Sequence, residues 1–359
     1  MSNEIKTIAM QVENSPFRNV YWFARYLLDT DQYGAIGRSK ESLMLNEVAF
    51  IESILINEQL KEDEKFNITK TSILNEINNM ANPNSKIHKK YENLIIRFEE
   101  EIKNLNDVIV FCIAMKYLVA PINNSLLTIP SNDYEFSSKA AKTILDTYGQ
   151  KKAGLVISVW DNLGIKGCLN AERTAIVEAF TKLIDNISKL NIKHDNIDDN
   201  IIFTAFIQEF ERRAGQKRKA RGGHSLESVL NFLFDYFNLK SSDKPYHFDQ
   251  DIEVDKWFKC KDGWSIGISC KRTLRERWKQ LSQADRGKLS HFKIKEIWHL
   301  ITFDSDLSDD KIVRLGEQSH IFYLLDDSPI YKRCIEHNGM KMYVRPLSKL
   351  IEDIIKISK

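Results

Sequence analysis

What this chain lacks narrows its chemistry first. Its five cysteines (Cys112, Cys168, Cys260, Cys270, Cys334) are odd in number, scattered and without Cys-x-x-Cys spacing. That argues against a zinc ribbon or a disulfide framework and fits reduced thiols in a cytoplasm. No Gly-x-x-x-x-Gly-Lys-Ser/Thr loop is present, so a nucleotide-driven machine is not expected. The opening Met-Ser-Asn-Glu-Ile-Lys has no charged-then-apolar leader, so export is not expected either. The longest apolar stretch, Val108–Met115 extended to Ala120 with Lys116 inside it, is too short and interrupted to span a bilayer and predicts a buried helix. There is no internal repeat and no low-complexity tract.

What is present is an ordinary globular composition, 43% hydrophobic and 28% charged over 359 residues. At roughly 150 residues per domain, two domains are expected. The net charge of +2 conceals an uneven distribution. Six of the ten residues Arg212–Arg221 are basic (Arg212, Arg213, Lys217, Arg218, Lys219, Arg221), and Lys271–Lys279 adds five more. One such run is an ordinary solvated face; two that flank one acidic constellation point to a polyanion, because such runs neutralise phosphates and release counterions.

The first third reads as helices. Ser15-Pro16 supplies a cap and a first-turn proline, followed by Phe17, Val20, Tyr21, Ala24, Leu27 and Leu28 at helical spacing. Leu94, Ile95, Phe98, Ile102 and Leu105 make a similar stripe. A turn-rich segment, Asn123–Ser138, suggests a helical N-terminal domain over 1–135, for dimerisation or an accessory DNA contact, and a catalytic domain over 136–359. The polar stretch Asn186–Asn200 is a competing boundary. From about residue 220 the period changes: Ser225–Leu239 predicts a helix, and Gln250–Phe258 and Trp264–Lys271 alternate as strands. Thr273–Leu289 predicts one helix. Ile297–Phe303, His320–Leu325 and Met340–Val344 predict further strands, and Leu347–Ile357 a final helix. Strands alternating with helices imply a mixed α/β sheet.

Ser269-x-Lys271 ends the second strand, with Ser265, Gly267, Ser269 and Lys271 on its polar face. Glu227 lies on the preceding helix, Asp255 on the preceding strand, and Asp285 follows Lys271 after thirteen intervening residues. Taken singly, each acid is a solvated carboxylate and Lys271 a surface lysine. Together they are what phosphodiester hydrolysis requires: carboxylates for Mg²⁺, a hard cation, and a lysine to orient water and neutralise phosphate. Asp251, Glu253 and Asp255 share one face, so the pattern leaves open which of them binds metal.

Arg221-Gly222-Gly223-His224-Ser225-Leu226-Glu227 resembles the Arg-x-Gly-x-Ser-Leu-Glu segment of the EcoRII restriction endonuclease family. Lys271-Arg272-Thr273-Leu274-Arg275-Glu276-Arg277-Trp278-Lys279-Gln280 resembles that family's Lys-x-Thr-x-Lys-Asp-Arg-Trp-Arg-Gln run. The resemblance covers Arg212 to Ser328. It implies a PD-(D/E)xK restriction-endonuclease-like core with Asp255 as the strand aspartate, Lys271 as the catalytic lysine and Glu227 as the helix glutamate, so that Asp255, Asp285 and Glu227 hold Mg²⁺. No proline precedes Asp255, and Ser269 stands where the general pattern has an acid. The CCGG-cutting relatives of the Cfr10I and NgoMIV type share Ser-x-Lys and take the missing acid from the next helix, usually as glutamate, at the spacing of Asp285. Their Arg-(Asp/Glu)-Arg element for C·G pairs corresponds to Arg275, Glu276 and Arg277. Arginine reads guanine bidentately and a carboxylate accepts from cytosine. Arg218, Lys219, Arg221 and Lys279 are the expected phosphate contacts.

The resulting expectation is a cytoplasmic type II restriction endonuclease of a restriction-modification system. It would act as a homodimer or tetramer, since a palindrome requires two-fold symmetry. It would cut double-stranded DNA at a C·G-rich core, CCGG with flanking bases ahead of CCNGG or CCWGG. The alternatives are an inactive sequence-specific DNA-binding protein with a nuclease fold and a structure-specific repair nuclease.

Overall fold

The computed structural model describes residues 3–36, 40–131, 134–190, 194–248, 253–275 and 278–358. It is an α/β protein whose contacts divide it into two units: Met1–Pro130 with Asn170–Gln216, and Ser131–Leu169 with Lys217–Lys359. The first crossing falls beside the boundary expected at 135. The contiguous division 1–135 and 136–359 nevertheless differs from this one, because 170–216 packs with the first unit.

Among its described residues the first unit is helical throughout: α1 (Asn3–Asn14), α2 (Val20–Leu28), α3 (Glu41–Leu55), α4 (Glu62–Asn79), α5 (Lys86–Glu101), α6 (Leu105–Ile113), a π-helical stretch (Ala114–Val119) and α7 (Ala120–Thr128). It also includes part of α9 (Ala153–Ile187) and of α10 (Asn196–Tyr236), which follow α8 (Tyr134–Tyr148). The predicted stripes are core: Phe17, Val20, Ala24, Leu27, Leu94, Phe98 and Ile102 are fully buried. Asn104 begins α6 with a capping box. Its side chain accepts from Asp107 N at 3.1 Å, and the Asp107 carboxylate accepts from Asn104 N at 3.2 Å.

The apolar stretch expected to be too short for a bilayer is longer than its sequence suggested. Leu105–Thr128 is a helical run of 24 residues, long and apolar enough by length and composition to cross a membrane, and 61% of its most apolar window is buried inside the protein. Lys116, which interrupted the pattern, reaches out of that helix to Glu52 at 2.7 Å.

The second unit contains a five-stranded mixed sheet. In chain order it has β1 (Lys256–Lys259), β2 (Ser265–Lys271), α11 (Trp278–Leu281), α12 (Arg286–His291), β3 (Ile294–Ile301), α13 (Asp309–Gly316), β4 (His320–Leu324), α14 (Pro329–Glu336), β5 (Val344–Pro346) and α15 (Leu350–Ser358). The strand order is β1-β2-β3-β4-β5; β1 pairs antiparallel with β2, and the later neighbours pair parallel. Short β-turns suffice for the first pairing, whereas each parallel pairing needs a crossover, supplied by α11–α12, α13 and α14.

Both faces of the sheet are covered. Phe258, Ile266, Ile268, Trp298, Leu300 and Tyr323 pack with Leu226, Leu230 and Leu233 of α10 and with Leu350 and Ile354 of α15. On the other face Trp257, Ile297, Ile301, Phe322 and Leu324 pack with Leu281, Ala284, Leu289, Ile312 and Leu315. Each such large apolar side chain stabilises the fold by about 1.5–3 kcal/mol. The polar face expected on β2 is therefore not solvated along its length: Gly267 and Ser269 are buried, and only the strand ends, Ser265 and Lys271, are partly exposed.

Thr273–Leu289 is also not a single helix. Arg275 has φ +39°, a left-handed backbone that no helix interior contains, and two short helices follow. Asp285 begins the second by accepting from Lys288 N at 2.8 Å. The predicted Ser225–Leu239 helix is the end of α10, which also carries the basic run Arg212–Arg221.

Candidate functional site

The site forms where β1 and β2 meet the last turns of α10. Asp255 precedes β1 and continues its ladder, its N–H donating to Ile268 O at 2.9 Å. Its Oδ2 accepts from Cys270 N at 2.6 Å, so the carboxylate is held against the strand that carries Lys271. Lys271 Nζ lies 2.8 Å from Glu253 Oε2 and 3.9 Å from Asp255 Oδ2. The Lys271 side chain is 15% exposed, Asp255 21% and Glu253 67%. Asp255 is thus a half-buried partner of the lysine, and Glu253 is the more exposed one.

Glu227 is carried by α10. Leu226, Val229, Leu230, Leu233 and Phe234 turn to the sheet, and this apolar stripe sets the rotation of the helix, leaving Glu227 to line the cleft with Glu253 and Asp255. Burial raises the Asp255 carboxyl above the ordinary aspartate range. The Cys270 N–H and the Lys271 charge oppose that shift, and Glu253 and Glu227 add to it. A half-desolvated carboxylate beside two more is stabilised in its charged form by any cation placed among them.

The cleft measures about 680 Å³. Its charged lining is five cations (Arg218, Lys219, Lys271, Arg272, Arg275) against three carboxylates (Glu227, Glu253, Asp255). This excess suits an anion larger than a single carboxylate. The turn after β2 is held from outside the cleft: Phe303 N donates to Arg272 O at 2.8 Å, and Arg275 N donates to the Asp306 carboxylate.

Among the described residues no group of three or more His, Cys, Asp or Glu side chains stands close enough to hold a metal ion. The oxygen donors present fit a cation of the Mg²⁺ kind, which takes one or two carboxylates and completes its shell with water and substrate phosphate. Asp255 is the least exposed member of such a set, and Glu227 and Glu253 are the carboxylates that act on it electrostatically.

Of the residues expected from sequence, Glu227, Asp255, Lys271, Arg218, Lys219 and Arg275 line this one cleft. Asp285 does not line it; its exposed carboxylate caps α12. Ser269 is buried in the sheet beside His299 and does not line the cleft. Arg221 is buried, because its place on α10 turns it away from solvent, and Lys279 is exposed on α11 outside the lining. Glu276, Arg277 and Asp251 lie outside the described residues. Glu253, one of the three acids between which the pattern does not choose, stands nearer to Lys271 than Asp255 does, at 2.8 Å against 3.9 Å. Arg272 and Thr273 were given no role, although their adjacency to Lys271 was the available signal.

No protein family, curated protein or solved structure matches the chain.

Proposed function

We propose that this chain is a Mg²⁺-dependent type II restriction endonuclease with a PD-(D/E)xK-like core. In this reading it cuts both strands of DNA at a short palindrome with a C·G-rich core, CCGG with flanking bases ahead of CCNGG or CCWGG. The observation that carries it is the pairing of Lys271 with Glu253 and Asp255 in a cleft that is also lined by Glu227 and by the cations Arg218, Lys219, Arg272 and Arg275. The sequence resemblance adds the family and the C·G preference.

In this reading Asp255 and Glu227 hold Mg²⁺, which supplies Lewis acidity to water and phosphate oxygens. Lys271 Nζ donates to the attacking water or to a non-bridging phosphate oxygen and offsets the negative charge that grows there. The water oxygen adds to phosphorus as the bridging P–O bond breaks, and one proton goes to the leaving oxygen. Arg218 and Lys219 contact the DNA backbone, and Arg275 approaches a guanine edge in the major groove. A palindromic substrate requires a homodimer or a larger symmetric assembly.

The test is incubation of purified protein with unmethylated phage DNA, with Mg²⁺ and with EDTA, followed by run-off sequencing of the ends. Discrete Mg²⁺-dependent fragments ending within one palindrome are expected, with Lys271→Ala binding that site uncut. The absence of three converging ligands among the described residues favours one second reading, a DNA-binding protein without cleavage. It predicts specific binding and no cutting by the wild-type chain.

A further inference from the structure

We infer that Arg272 is a further catalytic cation, seated by Gly222 of α10, and that it contacts the phosphate under attack beside Lys271, more strongly in the transition state than in the bound duplex. The inference rests on the nuclease reading.

Gly222 stands in the interior of α10, where glycine weakens a helix relative to alanine. A Cβ at that position would lie 2.8 Å from Arg272 Nη1 and 3.6 Å from its Cζ. The guanidinium therefore rests in the space that the missing side chain leaves, against the backbone of the helix. Glu227 follows five residues later, about 7.5 Å along the helix axis. The other end of Arg272 is also fixed, its carbonyl accepting from Phe303 N at 2.8 Å. Glu253 and Asp255 offset much of the Lys271 charge, so Lys271 alone is a poor match for a phosphodiester passing to a more highly charged transition state. A planar guanidinium one residue away can bond two phosphate oxygens at once.

The experiment uses the full chain and the duplex that run-off sequencing identifies. It compares wild type, Arg272→Ala, Gly222→Ala and the double variant by single-turnover cleavage with Mg²⁺, by duplex binding in EDTA, and by thermal melting. Arg272→Ala is expected to slow cleavage about 100-fold, with binding in EDTA changed by no more than about threefold. Gly222→Ala is expected to slow cleavage at least about tenfold while its melting temperature holds or rises, since alanine favours the helix. The double variant is expected to be no slower than Arg272→Ala, because both changes remove the same contact. Wild-type cleavage by Arg272→Ala would overturn the inference. So would parallel loss of binding and cleavage, which would make Arg272 a remote backbone contact, and so would additive effects in the double variant. A wild-type chain that cuts no duplex would overturn the nuclease reading itself, and the inference with it.

Discussion

Nε2 of His299 stands 2.7 Å from Nδ1 of His320 in the buried centre of the sheet, with the two rings stacked at 5.0 Å. Their tautomers follow from the next bond. His320 Nε2 lies 3.2 Å from Ala284 O, and a carbonyl only accepts, so that nitrogen carries the proton. A neutral His320 then offers a lone pair at Nδ1, and His299 donates to it from Nε2. His299 Nδ1 is left as an acceptor that finds no hydrogen-bond partner among the described residues.

Burial lowers both histidines, His320 to about 4 and His299 well below the ordinary value; His320 and the Lys271 charge lower His299 further. The unfolded chain therefore takes up these protons first as pH falls. The stability that the neutral rings contribute is fully present above about pH 6.5 and is lost as pH drops toward 4, at up to about 1.4 kcal/mol per pH unit for each ring. Urea unfolding between pH 7.5 and 5 is expected to follow that slope and to flatten in His320→Asn. A wild-type curve no steeper than that of the variant would refute the assignment.

Asp255→Asn is expected to abolish cleavage, by roughly 100-fold or more, and to raise the melting temperature at pH 7. Because the folded carboxyl titrates above its unfolded value, stability falls as pH rises from the ordinary aspartate range through the raised one. An asparagine, which keeps an acceptor for Cys270 N–H, removes that penalty. An unchanged or lower melting temperature would show that the ionised form is held without cost.

Arg275 and Asp306 form a second testable pair. The left-handed backbone of Arg275 is held by the Asp306 carboxylate, at an expected strain of about 1–3 kcal/mol. Asp306→Ala is expected to reduce discrimination between cognate and single-mismatch duplexes by up to about 1–3 kcal/mol, the worth of one bidentate base contact. Binding to random duplex should hardly change. Competition binding reads both quantities, and an equal loss on all duplexes would remove Arg275 from the base-reading set.

Gly316→Ala serves as a test of packing remote from the cleft. A Cβ there would fall 2.2–2.5 Å from the Tyr343 ring, and Tyr343 N and O both carry backbone bonds that limit its retreat. A loss of about 1–3 kcal/mol in unfolding free energy is expected, measurable as a lower urea midpoint.

Much of the sheet was legible because apolar alternation reports the pleat directly: β2 and β4 fall almost where the pattern put them. The pairing of Asp255 with Lys271 was legible for a related reason, since both belong to adjoining strand ends. What remained hidden depends on contacts remote in sequence. The break at Arg275 requires Asp306, 31 residues away. Ser269 and Gly267 look solvated by alternation alone, yet both are buried in the folded sheet, where Val254 and Trp257 crowd Gly267. Asp285 has the spacing of a ligand, yet Asp is equally suited to start a helix, and here it caps the N-terminus of α12. Residues 170–216 join the first unit because Ala175, Ala179, Phe206 and Phe210 pack with Phe98 and Phe111, an association that no local pattern announces.

The strands neighbour one another in the order in which the chain supplies them. No strand has to be threaded between two that are already paired, so the sheet can grow by addition to one edge as the polypeptide leaves the ribosome. Glu227, Glu253, Asp255 and Lys271 all precede the first parallel pairing. Their cleft can therefore begin to assemble around the antiparallel β1–β2 hairpin, the pairing of lowest contact order in the sheet, and the later strands then brace a charged site that is already present.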